Sequence, residues 1–72
     1  MKTVTIETDF IKLDQFLKWT GDCSSGAQAK EMIMNGEVKV NGSIEKQRGK
    51  KIYADNTVEF GKTSYKVVGK YD

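Results

Sequence analysis

Apolar and polar residues alternate through TVTIET, residues 3–8, where Val4 and Ile6 stand between threonines, and this period of two predicts a short strand. The period then lengthens. Leu13, Phe16, Leu17 and Thr20 recur at i, i+3, i+4 and i+7, one face of a helix over about residues 12–20. Asp14 falls in its first turn, where the macrodipole favours an anion, and Gly21 ends it. A second helix opens at Ser25. Gln28 follows three positions later in the capping-box pattern, which satisfies two otherwise orphan amide donors. Ala29, Met32 and Ile33 supply its apolar stripe and Gly36 its C-terminal glycine.

Beyond Gly36 the period returns to two. Val38 and Val40 alternate with Glu37 and Lys39, Asn41-Gly42 is a strong hairpin signal, and Ile44 begins the return. Ile52 follows a basic loop, YADNT (53–57) supplies another turn, and Val58 with Phe60 marks a further strand. SYKVVGKYD (64–72) adds a strand through Tyr65 and Val67 before a frayed terminus. These elements predict an α+β fold in one domain spanning 1–72: a small helix pair packed on one side of a twisted, mainly antiparallel sheet.

Composition narrows the chemistry. A chain of 72 residues buries only about 60% of the surface its unfolded form exposes, which leaves little room for an enclosed substrate cavity. One cysteine, Cys23, excludes an internal disulfide, and the absence of histidine removes the usual zinc sets, so no metal and no cofactor are expected. An unpaired thiol suits a reducing cytosol, and MKTVTIETDF holds no apolar run long enough for a signal peptide or a span; a cytoplasmic protein without a membrane partner is expected. Cys23 reads as a semi-buried loop residue, although its place just ahead of a helix start could lower its pKa. Asp9, Asp14 and Asp22 form no acid/base pair and the glycines form no nucleotide fingerprint, so neither catalysis nor a small-molecule substrate is expected.

The net charge of +2 is unevenly spread: the chain through Glu37 carries an acidic excess, and residues 38–72 hold eight Lys/Arg against four acids. KQRGKK (46–51) sets Lys46, Arg48, Lys50 and Lys51 around Gly49, a phosphate-binding loop or a solvated hairpin tip. The entrance of the second helix, Ser24-Ser25-Gly26, offers amides and a partial positive charge to a phosphate, or is a cap and nothing more. Trp19 sits at the edge of the first helix's apolar stripe, roughly 60° from Phe16, as core rim or stacking surface. Met34 is left open between an exposed contact and packing on the C-terminal strands. Tyr53, Tyr65 and Tyr71 read as packing residues first and base-stacking residues second.

Over residues 11–60 the order of these features resembles the RNA-binding domain first described in ribosomal small-subunit protein S-four, the alpha-L RNA-binding motif. The matching positions are Lys12, Leu13, Asp14 and Leu17; Gly21 and Ser25; Gln28-Ala29-Lys30; Ile33 and Gly36; and Val38, Val40, Asn41 and Gly42. Because this segment fills most of the chain, it is most similar to the short free-standing bacterial members of the YaaA and YbcJ type. Members usually carry arginine at the positions of Lys12, Gly26 and Lys30, so this chain keeps two cations but loses the bidentate fork at all three. The resemblance implies a non-catalytic protein that binds structured RNA, ribosomal RNA or a ribosomal subunit, in assembly or on the finished ribosome, as a monomer. The candidate contacts are Lys12, Lys18, Ser24, Ser25, Gly26, Gln28, Lys30, Lys39, Asn41, Lys46, Arg48, Lys50 and Lys51. The hairpin is expected to turn the Lys39 strand toward the helix pair and so gather the cations on one side. The alternative from another class is a protein-docking module using Trp19, Met34 and the strand edge. A helix-turn-helix on duplex DNA fits poorly, because the second helix exposes no base-reading set.

Overall fold

The computed structural model describes residues 1–70; the expected frayed terminus and Tyr71 lie at or beyond its end, outside the described residues. The elements are β1 (Lys2–Ile6), β2 (Ile11–Lys12), α1 (Leu13–Thr20), α2 (Gly26–Met34), β3 (Val38–Val40), β4 (Ser43–Ile44), β5 (Lys51–Ile52), β6 (Thr57–Phe60) and β7 (Thr63–Gly69). Five strands form one sheet in the order β1-β7-β6-β3-β4. Its pairs are antiparallel except β1 with β7, which run parallel in the register Val4 to Val67. The long connection between β1 and β7, which holds both helices, is what a parallel pair requires.

Alternation along the strands sends Val38, Val40, Val58, Tyr65, Val67 and Ile6 to one face. Leu13, Phe16 and Leu17 of α1 and Ala29 and Ile33 of α2 complete the same core, so the helix pair covers that face and the other is left to solvent. Phe16 meets Tyr65 edge-on, with ring centroids 5.5 Å apart. The Tyr65 hydroxyl donates to Asp22 Oδ2 at 2.6 Å, and the Thr20 hydroxyl donates to the same oxygen at 2.7 Å. One carboxylate thereby ties the end of α1 to β7.

Two turns lock the frame. Gly36, at φ +79°, ends α2 in a Schellman pattern: its amide donates to the Ile33 carbonyl at 3.1 Å, and that of Glu37 donates to Met32 at 3.2 Å. Asn41 and Gly42 take φ values of +52° and +86°, the two positive angles of a type I′ hairpin. Among the described residues, no helix is long and apolar enough to cross a membrane.

Candidate nucleic-acid interface

The first turn of α1 is capped by the basic loop. Lys12 provides no side-chain cap. Instead the amides of Leu13 and Asp14 donate to the carbonyls of Lys50 (2.9 Å) and Arg48 (3.1 Å), and the Gln15 amide donates to Asp14 Oδ1 at 2.8 Å. Loop carbonyls thus take the place an anion would occupy at this helix end. The same contacts hold the loop backbone in place while Lys46, Arg48 and Lys50 remain exposed. Beside it, β2 and β5 pair antiparallel with Lys12 directly opposite Lys51.

Like charges opposite each other in a ladder are destabilising, and among the described residues none of Lys12, Arg48, Lys50 and Lys51 forms an ion pair. Lys51 does find a ring, its Nζ lying 4.9 Å from the Phe10 centroid, and Phe10 in turn packs on Tyr53 at 5.9 Å. The fold thus holds two like charges side by side at this junction, with the Phe10 ring as the contact of one of them. Sequence reading missed the pair because two-residue strands carry no period. The signal available was the mirrored order of Ile11-Lys12 and Lys51-Ile52.

At the α2 entrance, Ser25 is extended and its hydroxyl accepts from the Gln28 amide at 3.1 Å, as the capping pattern predicts. The reciprocal bond differs. Gln28 Oε1 accepts from both the amide (2.7 Å) and the hydroxyl (2.9 Å) of Ser24, one residue before the expected partner. Two donors on Ser24 satisfy this oxygen better than the single Ser25 amide would. The amides of Gly26 and Ala27 keep no partner among the described residues. Gly26 has ordinary backbone angles and open space where a side chain would project, so nothing in the fold requires glycine there. Lys30 follows one turn later on the exposed stripe Ala27, Lys30, Glu31 and Met34.

The candidates are therefore not gathered at one point. The basic loop lies at the start of α1 and reaches the end of α2, where the Lys46 Cε lies 3.8 Å from where a Gly36 side chain would begin. The α2 entrance follows the opposite end of α1, whose eight residues span about 12 Å, with Lys18 in the last turn of that helix. Lys39 lies on the sheet: alternation turns it away from the core face, between its cross-strand neighbours Ile44 and Glu59. This corrects the expectation that the hairpin brings the Lys39 strand's charge toward the helices, since neighbours of buried Val38 and Val40 must point outward. Asn41 is engaged structurally, its side-chain oxygen accepting from the Thr57 amide at 2.9 Å.

Cys23 is buried, at 2% exposure. Burial pushes its thiol up from the ordinary 9.0, with Asp22 and then Glu37 adding to the effect, so the lowered pKa that a helix start can give is not realised. Trp19 and Met34 are each 57% exposed.

A helix pair on one face of a mixed sheet, with a cationic junction at the start of the first helix, places the protein in the class of alpha-L motif folds. The chain belongs to the S4 domain family, whose model matches residues 4–68. It is 39% identical over 66 residues to the "Probable ribosome maturation protein RlbA" of Bacillus subtilis (strain 168), covering 90% of this chain and 93% of that one. It is 45% identical over 58 residues to the "Putative RNA-binding protein YbcJ" of Escherichia coli (strain K12), covering 81% and 83%. The solution structure of YbcJ from E. coli, described as revealing an alpha-L motif involved in RNA binding, superposes with a TM-score of 0.71 at 40% identity, over 94% of this chain and 87% of that one.

Proposed function

We propose that this protein binds structured RNA without catalysing a reaction on it, that the RNA is ribosomal, and that it acts as a cytoplasmic monomer in ribosome maturation. The observation that carries this reading is the set of unpaired cations at the α1 junction, Lys12, Arg48, Lys50 and Lys51, on backbone fixed by hydrogen bonds and strand pairing. A preformed cationic surface with few base-reading groups suits folded RNA, which is recognised largely through shape, phosphates and 2′-hydroxyls. The names of the two relatives, one in ribosome maturation and one in RNA binding, support the same direction. The α2 entrance and Lys30 extend the track toward a second phosphate.

Affinity for a ribosomal RNA fragment, measured across a salt series, tests this. Four neutralised phosphates give a slope of log K against log salt of about −3. A flat profile, together with failure of the protein to sediment with ribosomal subunits in a lysate gradient, would refute it. A protein-docking role draws support from one feature, the exposure of Met34 (57%) and Ile44 (56%) around the end of α2. Docking through those side chains predicts the flat profile.

A further inference from the structure

Beyond the cationic surface, an open groove of about 320 Å³ runs between α1 and the end of β1, walled by Thr5, Ile6, Glu7, Thr8, Ile11 and Trp19. Its size falls at the small end of ligand pockets, about 300–1,000 Å³, enough for one planar ring system. Ile6 and Ile11 give it an apolar floor and the half-exposed indole gives it a flat wall. Lys12, Gln15 and Trp19 are exposed at i, i+3 and i+7, so the groove opens on the helix stripe that starts at the cationic junction. An aromatic wall on the stripe that begins at Lys12 matches an unpaired base next to a backbone bound at the cationic junction.

We propose that this groove receives an unpaired nucleobase of the bound RNA, stacked on Trp19 while Lys12, on the same helix stripe, meets a backbone phosphate. The inference rests on the RNA-binding reading above and adds the chemistry of one subsite. Its polar wall favours bases that donate. The Thr8 hydroxyl spends its proton on the Phe10 carbonyl at 2.7 Å and offers lone pairs, and Glu7 offers a carboxylate whose charge Lys70 offsets at 3.6 Å. Guanine presents two adjacent donors, N1–H and the 2-amino group, which one carboxylate can accept together, whereas uracil presents one; guanine is the favoured occupant.

Trp19 is the sole tryptophan, so its fluorescence reports on this site directly. The probes are an RNA hairpin with guanosines in its loop, the same hairpin with uridines or abasic positions there, and the stem as a closed duplex. The guanosine hairpin quenches Trp19 emission at saturation and binds more tightly than the other three. Trp19→Ala weakens it by about tenfold, within the range of base stacking on an aromatic side chain, with the salt slope unchanged. Trp19→Phe retains most of the affinity and serves as the reference if the alanine variant folds poorly. Equal affinity of wild type and Trp19→Ala, or no quenching at saturation, overturns the subsite. Charge reversal at Lys12 and Lys51 separates the two ideas: loss of all RNA binding there, with Trp19→Ala silent, leaves the RNA reading standing and removes the base pocket. If neither set has an effect, both fail.

Discussion

Asp22 was a loop acid without a partner in the sequence, and in the fold it accepts two hydroxyl donors that join α1 to β7. Tyr65→Phe removes one of them and leaves the Thr20 bond, at an expected cost of about 1–2 kcal/mol in urea unfolding. The same residue gives a pH dependence. Burial, followed by the hydrogen bond to Asp22, raises the Tyr65 phenol above its ordinary 10.0. The folded state then holds this proton more tightly than the unfolded chain, so the contribution is intact below 10.0 and is lost as pH rises toward the folded-state value. Cys23 acts with the same sign from 9.0 upward. Stability should therefore fall through the alkaline range, and Tyr65→Phe should fall less steeply. Native Cys23 should react with a thiol reagent far more slowly than in denaturant; equal rates would contradict its burial.

At the level of elements, the α2 entrance is the most revealing site. Gly26 is neither conformationally required nor crowded, so Gly26→Arg should fold with unchanged or slightly higher stability, because glycine costs up to about 1 kcal/mol in a helix. If the entrance faces RNA, the new guanidinium should tighten binding several-fold and steepen the salt slope by about 1. No change in either would place the entrance outside the interface. The hairpin is different in kind. Asn41 combines a left-handed backbone with a side-chain bond to the β6 amide of Thr57, so Asn41→Ala should cost about 1–2 kcal/mol of stability and act on binding only through the fold.

Across the whole molecule, the cations fall into a helix side and a sheet side. The basic loop grips α1 through its carbonyls, so its side chains can change without loss of those bonds. Lys30→Glu with Lys50→Glu and Lys51→Glu should lower RNA affinity by about tenfold or more while circular dichroism and the unfolding midpoint stay near wild type. Lys39→Glu, on the open face of the sheet, should leave affinity within about twofold, since an exposed charge that does not meet a phosphate is largely screened by salt. A large effect of Lys39→Glu would mean that RNA wraps onto the sheet.

The sequence by itself determined the helix pair, the Ser25 cap, the two glycine stops and the Asn41-Gly42 hairpin, because each depends on residues within a few positions of one another. It also determined the alternation that fills one sheet face, and the family to which the chain belongs. The tertiary structure decided what depends on contacts distant in sequence: the parallel pairing of β1 with β7, the Lys12–Lys51 ladder, the loop carbonyls on α1, the Asp22–Tyr65 tie and the groove beside Trp19. Lys39 and Lys51 illustrate the division. Both are exposed lysines in short strands, and only the pairing of those strands sends one to an open sheet face and the other to the helix junction. Local pattern sets which side of a strand a residue occupies; what lies on that side is fixed by the packing of the whole chain.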